Sequence, residues 1–287
     1  MLQPHDGRMI DAGGVNTFCI DRGTGRAVVL LHGASLAVDA WLTWFRTIEN
    51  LSSAFRVASF DQIGFGRSDS PPGNKYLNRL ERVPHAWAVL DALGVEKAIL
   101  VGHSEGAFMV ARMAVEQPKR VEKIVLITSG GTSPRLGGEL DRGWMEASDA
   151  AYDVQDGKAT EDTCIRNDPH LRRIKDADYE RVLRENYRRA QRGGSYDMFQ
   201  SLPLAETDYH LYTQLQEQHL FPFLGQLSIP ALLIWARNDP TVPVERGLKL
   251  MDMIAGAELH VISDAAHMVM HDRPEAFNGL LRAWCAA

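Results

Sequence analysis

Cysteine is scarce in this sequence, with only three residues in 287. Cys19, Cys164 and Cys285 lie far apart and match no metal-ligand spacing, which excludes a disulfide scaffold and a structural zinc site. Long hydrophobic runs are missing too. No stretch approaches the roughly 18 apolar residues of a membrane-spanning helix, and the opening MLQPHDGRMI lacks the apolar core of a secretory signal. There is no excess of basic charge. The formal net charge is −6, the opposite of a nucleic-acid footprint. The one arginine-rich stretch, Arg172 to Arg192, is interleaved with Asp176, Asp178, Glu180 and Glu185 and reads as a solvated helix face. Repeats and low-complexity tracts are absent. Gly64-x-Gly66 has no third glycine opening a helix, so it is not a dinucleotide fingerprint. These absences lead us to expect a cytoplasmic protein with reduced thiols, acting on a small molecule without metal, cofactor, nucleic acid or membrane. They leave open whether it forms a homo-oligomer.

What is present is a core large enough to stand alone. Hydrophobic residues make up 45% of the chain, and a chain of this length buries roughly 75% of its unfolded surface. Gly13-Gly14 between the apolar runs 8–10 and 15–20 suits a hairpin turn. Short continuous apolar runs follow at 27–31, 55–60, 98–101, 123–127, 231–235 and 258–262. Runs apolar on both faces belong to a parallel sheet covered on each side. Helical patterns at 84–93, 105–116, 244–254 and 274–284 alternate with them, so the expected fold is a mostly parallel, doubly wound α/β sheet. The alternation stops between about Gly131 and Leu224. That stretch is polar and helix-like, with 178–192 its clearest helix, and it is too long for a loop. We therefore expect a core of 1–130 and 224–287 with an inserted helical lid at 131–223.

Residues 102–106 read Gly-His-Ser-Glu-Gly. A G-x-S-x-G pattern is weak alone, but this one lies directly between a strand and a helix, as a nucleophile elbow requires. Glycines at 102 and 106 would relieve the crowding of so tight a turn. Ser104 is thus the candidate nucleophile. A serine needs a base, and the chain order of such sites is serine, acid, histidine. His267 follows the last strand by five residues, with His271 as its competitor. Asp239 follows the preceding strand by four residues, with Asp264 as its rival. An oxyanion hole needs two backbone N–H donors. The residue after the nucleophile, Glu105, supplies one; the loop after His32-Gly33 supplies the other, at Ala34 or, second, Ser35. His32 and His103 read as structural, His103 within reach of the pocket wall.

These motifs resemble the α/β-hydrolase-fold enzymes, and within them the meta-cleavage product hydrolases, which break a C–C bond in vinylogous 1,5-diketones. The resemblance is carried by His32-Gly33, Trp41, Trp44, the run Asp61-Gln62-Ile63-Gly64-Phe65-Gly66-Arg67-Ser68-Asp69, Ile234 to Asp239, Gly247 to Leu250 and Glu275 to Asn278. It covers the core on both sides of the lid. It implies catalysis by Ser104, Asp239 and His267, with Ala34 and Glu105 forming the oxyanion hole. The chain departs from that family at four substrate-facing places. Ala34-Ser35-Leu36-Ala37 stands in place of a Gly-Pro-Gly run, His103 in place of asparagine and Met268 in place of tryptophan. The family's lid arginine falls at or near Asn186, where Arg184, Arg188 or Arg189 would have to replace it. Ser35, His103, Asn186, Arg188 and Met268 are accordingly the candidate substrate contacts.

Three functions are compatible with this reading. One is hydrolysis of a C–C bond in a ring-cleavage diketone acid. A second is a carboxylesterase or lactonase acting on small esters. A third, of another class, is a ligand receptor or cofactor-free oxygenase on the same fold.

Overall fold

The computed structural model describes residues 6–152, 160–167 and 171–287. An antiparallel hairpin, β1 (Arg8–Asp11) and β2 (Asn16–Arg22), leads into β3 (Ala27–Leu31), α1 (Ala40–Leu51), β4 (Arg56–Phe60), α2 (Val83–Ala92), β5 (Ala98–His103), α3 (Glu105–Glu116) and β6 (Val121–Ile127). Among the described residues seven helices follow: α4 (Gly138–Tyr152), α5 (Glu161–Asn167), α6 (Ala177–Arg192), α7 (Ser195–Gln200), α8 (Leu204–Thr207), α9 (Tyr209–His219) and α10 (Phe221–Leu224). The chain then returns to β7 (Ala231–Ala236), α11 (Val244–Met253), β8 (Glu258–Ile262), α12 (Val269–Asp272) and α13 (Pro274–Ala286). The eight strands form one sheet in the order β1-β2-β4-β3-β5-β6-β7-β8. β2 joins β4 antiparallel, and from β4 to β8 every neighbour is parallel. No helix among the described residues is long and apolar enough to cross a membrane.

The sheet has a core on each face, which is why its strands read as unbroken apolar runs. On one side Val28, Leu30, Ile99, Val101, Val125, Ile127, Leu232 and Ile234 pack with Trp41, Trp44 and Ile48 of α1 and Phe277 and Leu281 of α13. The alternate residues Val29, Leu31, Leu100, Ile124, Leu126, Leu233 and Trp235 pack on the other side with α2, α3 and α11. The period-2 alternation of side chains thus separates two apolar sets. Between β6 and β7 no strand occurs among the described residues. α6 starts on its cap Asp176, whose carboxylate accepts from Asp178 N and Tyr179 N, and stops at Gly193. It buries Tyr179, Val182, Leu183, Asn186, Tyr187 and Ala190, a helical stripe.

Asp39 fixes where α6 meets the core. It caps α1 by accepting from Leu42 N at 2.7 Å, and its other oxygen receives Arg189 at 3.2 Å and Arg67 at 3.4 Å. Its side chain is wholly buried. Asp39→Ala removes the cap and both ion pairs, and is expected to lose about 2 kcal/mol in urea unfolding. Asp39→Asn keeps an acceptor for the cap and should lose about half as much. Equal midpoints for Asp39→Ala and wild type would contradict this account.

Candidate active site

The elbow is a backbone feature before it is a chemical one. β5 delivers Ser104 at φ 54°, ψ −123°, and α3 begins at the next residue. A serine in that conformation is held at a cost of about 1–3 kcal/mol. The surrounding hydrogen bonds hold it there. Ser104 N donates to Ile127 O at 3.0 Å, and its carbonyl accepts from Ala107 N at 3.0 Å and Ser129 Oγ at 2.6 Å. The flanking glycines are sterically required. A Cβ at Gly102 would stand 2.6 Å from Ala107 Cα, and one at Gly106 would stand 2.5 Å from the His32 carbonyl oxygen. Gly33 is equally constrained, because a Cβ there would lie 2.8 Å from that of Ser104. The β3 loop and the elbow therefore touch backbone to backbone, which brings Ala34 to the side of Ser104.

His267 arrives from the loop between β8 and α12. That loop is pinned by Asp272, which accepts from Ala266 N at 2.8 Å and, on its other oxygen, from Arg173 N at 2.8 Å and Ile174 N at 2.9 Å. His267 Nδ1 lies 2.8 Å from Asp239 Oδ2. Asp239 Oδ1 is held by Thr241 N at 2.8 Å, Thr241 Oγ1 at 2.7 Å and Val242 N at 3.1 Å. The carboxylate is thus fully oriented, and it orients the ring. Neither rival residue takes part. His271 donates to Leu42 O at 2.7 Å, and burial drives its pKa down to about 3. Asp264 is exposed and pairs with Arg273 at 3.3 Å.

His103 donates through Nε2 to the His267 carbonyl at 2.9 Å, with the two ring centroids 4.6 Å apart. It is buried, and desolvation with the neighbouring His267 pushes its pKa well below the usual histidine range. It is therefore neutral, and a neutral ring with its proton on Nε2 can only accept at Nδ1.

Above these residues lies a cavity of about 580 Å³, within the usual range of small-molecule sites. Ser104, His267, Ala34, Ser35, His103, Glu105 and Met268 all line it. Asn186 and Arg188, the other two candidate substrate contacts, are not among its lining residues. Asn186 is turned back to donate to Ala37 O at 2.9 Å. Arg188 is exposed and pairs with Glu161 at 2.8 Å. Arg184 is taken by Glu161 and Glu180, and Arg189 by Asp39. Arg181, Arg184, Arg188 and Arg189 of α6 are all held in ion pairs. No lysine or arginine is among the described residues lining the cavity, and no cluster of His, Cys, Asp or Glu among them is arranged to hold a metal.

Other lining residues carry no local motif. Tyr76, Phe199, Glu206, Tyr209 and Tyr212 all reach the cavity. Of these, only the three aromatics of segment 131–223 have a signal in the sequence, as bulky side chains in an otherwise polar stretch. Tyr76 and Tyr212 donate to the two oxygens of Glu105 at 3.4 and 3.3 Å. Burial, aided by the charge of Glu105, raises the Glu206 pKa to about 8, against the pull of Arg79 and Arg82.

An elbow serine, a histidine held by a buried carboxylate and two facing backbone loops define a serine-hydrolase architecture. The α/β hydrolase fold family model matches residues 26–274, and the chain belongs to that family. It is 30% identical over 285 residues to the 2-hydroxymuconate semialdehyde hydrolase of Pseudomonas sp. (strain CF600), covering 97% of this chain and 93% of the relative. It is 29% identical over 289 residues to a 2-hydroxy-6-oxo-2,4-heptadienoate hydrolase of Pseudomonas putida, covering 98% and 96%. Among solved structures, a variant of the meta-cleavage product hydrolase CumD superposes with a TM-score of 0.81, 26% identity and 97% of both chains covered.

Glu206 generates a pH prediction. Its folded pKa lies above that of the unfolded chain, so between about pH 4.5 and 8 the folded state holds the extra proton and stability falls as pH rises. Glu206→Gln removes this dependence. Its melting temperature relative to wild type should therefore climb steadily from pH 5 to 8.5. A constant difference across that range would show that Glu206 is ionised throughout.

Proposed function

We propose that the chain is a serine hydrolase that cleaves a C–C bond in a ring-cleavage diketone acid formed during aromatic degradation. Helices from segment 131–223 serve as the lid over its cavity. The observation that carries the reading is the strained Ser104 elbow beside a His267 ring held at 2.8 Å by Asp239. The relatives are named for 2-hydroxy-6-oxo-dienoates and 2-hydroxymuconate semialdehyde, which supports the substrate class.

In this mechanism His267 removes the Ser104 hydroxyl proton as the oxygen attacks the carbonyl carbon. The resulting oxyanion is received by the N–H groups of Ala34 and Glu105, the latter at the positive end of α3. Collapse of the intermediate breaks the C–C bond. The departing carbon is tolerable as a leaving group because its electron pair delocalises into the vinylogous carbonyl as a dienolate, which takes the proton from His267. Water, deprotonated by the same histidine, then releases the acyl group from Ser104. The three cysteines are free thiols, in keeping with a cytoplasmic enzyme.

A second reading, a carboxylesterase or lactonase, is favoured by one specific feature: no cationic side chain among the described cavity residues awaits a carboxylate. One assay separates the two. Wild type and Ser104→Ala are compared, without added cofactor, on a phenyl-type meta-cleavage product and on p-nitrophenyl acetate. We expect wild type to bleach the dienolate colour and Ser104→Ala to be slower by about 10³-fold or more. Ester turnover alone would move the protein to the second reading. Full activity in Ser104→Ala would overturn both.

A further inference from the structure

We propose that Arg82 and Gln62 are positioning residues for the oxyanion hole, tying its two backbone donors together through a buried chain of side chains. The proposal rests on the reading of Ser104 as nucleophile and of Ala34 and Glu105 as oxyanion donors. The middle members of that chain, Arg82, Gln62 and His32, do not line the cavity.

The chain of contacts is continuous. The Glu105 carboxylate is ion-paired to Arg82 Nη2. Arg82 Nη1 donates to Gln62 Oε1 at 2.6 Å. Gln62 Nε2 donates to the His32 carbonyl at 2.6 Å, and Gln62 N donates to His32 Nε2 at 3.0 Å. That second bond places the imidazole proton on Nδ1, which donates to the Gly33 carbonyl at 2.7 Å. The path begins on the residue carrying one oxyanion donor and ends on the peptide carbonyl joined to the nitrogen of the other, Ala34. Arg82, Gln62 and His32 are completely buried. Burial lowers the His32 pKa to about 4, which keeps the ring neutral and able to accept from Gln62.

Energetics argue that such a network is there for geometry. A buried ion pair gains little over well-packed apolar residues of similar volume, because both charges must be stripped of water. A fully satisfied buried network does, however, rigidify what it connects. Here it connects two loops, one after β3 and one after β5, whose relative position sets the distance between two N–H groups. Donors preorganised toward a developing charge are worth about 10²–10³-fold in rate each. A displacement of tenths of an ångström should therefore register in kcat.

Gln62→Met breaks the chain at its middle without disturbing the ion pair. The double variant Arg82→Met/Glu105→Met removes both charges together, leaves no buried ion unpaired and retains the Glu105 amide. Each would be assayed on whichever of the two substrates named above wild type turns over, and titrated with phenylboronic acid, whose tetrahedral serine adduct places an oxygen in the hole. The expected result is a kcat lower by about tenfold to a hundredfold with KM within about twofold. The phenylboronic acid inhibition constant should rise by a similar factor, in protein that still melts cooperatively. A purely structural role would lower the melting temperature while leaving kcat per folded molecule and boronate affinity unchanged. That outcome in either variant overturns the proposal; should Gln62→Met not fold, the double variant decides. Ser104→Ala, run alongside, keeps the two failures apart. If it stays active, the reading of the site has failed. If it is inactive while Gln62→Met matches wild type, only the positioning role has failed.

Discussion

Everything in this site depends on how closely two backbones approach at the C-terminal ends of β3 and β5. At Gly102, Gly106 and Gly33 there is no room for a Cβ, and each neighbour is main chain or Ser104 itself. Main chain cannot swing aside as a flexible side chain can, so Gly106 and Gly33 set the separation of the two loops, while Gly102 lets β5 turn tightly into α3. The same contact forces Ser104 to positive φ, lifts its hydroxyl off the sheet and points the first amides of α3 toward one spot. Nucleophile and oxyanion donors are thus consequences of one steric constraint. They are not independently placed parts.

Among the buried imidazoles, the hydrogen-bond partners set one apart. His32, His85, His103 and His271 are all enclosed, and desolvation lowers the pKa of each. Their ring nitrogens serve as structural donors and acceptors, to Gly33 and Gln62, Thr17 and Ile63, the His267 carbonyl, and Leu42. His267 alone among these buried rings faces a carboxylate, Asp239, and also lines the cavity with Ser104. The charge that forms on it during proton transfer has a partner already in place.

The parts legible in the sequence are those governed by local chemistry. A continuous apolar run marked β3 to the residue, because both faces of the sheet are covered there; β8 has the bounds the sequence indicated but is a largely exposed edge strand. The strand-to-helix position of Gly102 to Gly106 marked Ser104. Short steps after strands marked Asp239 and His267. Asp39 before Ala40 is a helix-start signal for α1 that periodicity alone did not bring out. Side-chain pairing across long separations was not legible. Arg184 and Arg188 close on Glu161 over 23 and 27 positions, and Arg82 reaches Glu105 over 23. A pattern read along the chain sees an arginine available for substrate where the fold has already committed it. Glu206, on the short helix α8, and Tyr76, in the loop before α2, likewise enter the cavity with no motif, placed there by packing.

The absence of a cationic lining residue among those described changes what a carboxylate substrate would meet. An arginine would offer a charge-assisted, bidentate grip. Here the hydroxyl protons of Tyr76 and Tyr212 are already given to Glu105, and the Trp144 indole N–H, buried with no partner among the described residues, is a neutral donor in the lining. Glu206, with its pKa raised to about 8, adds a carboxylic acid proton at neutral pH. When charged, Glu206 repels an ionised group; when protonated, it can donate a hydrogen bond to one. Recognition by such a set depends on shape and donor placement more than on charge. An arginine would favour a dienoate carboxylate over an ester or lactone; a neutral set of donors carries no such bias. The chemistry of the elbow is common to all three, so the choice among them is made by the residues that segment 131–223 sends into the cavity.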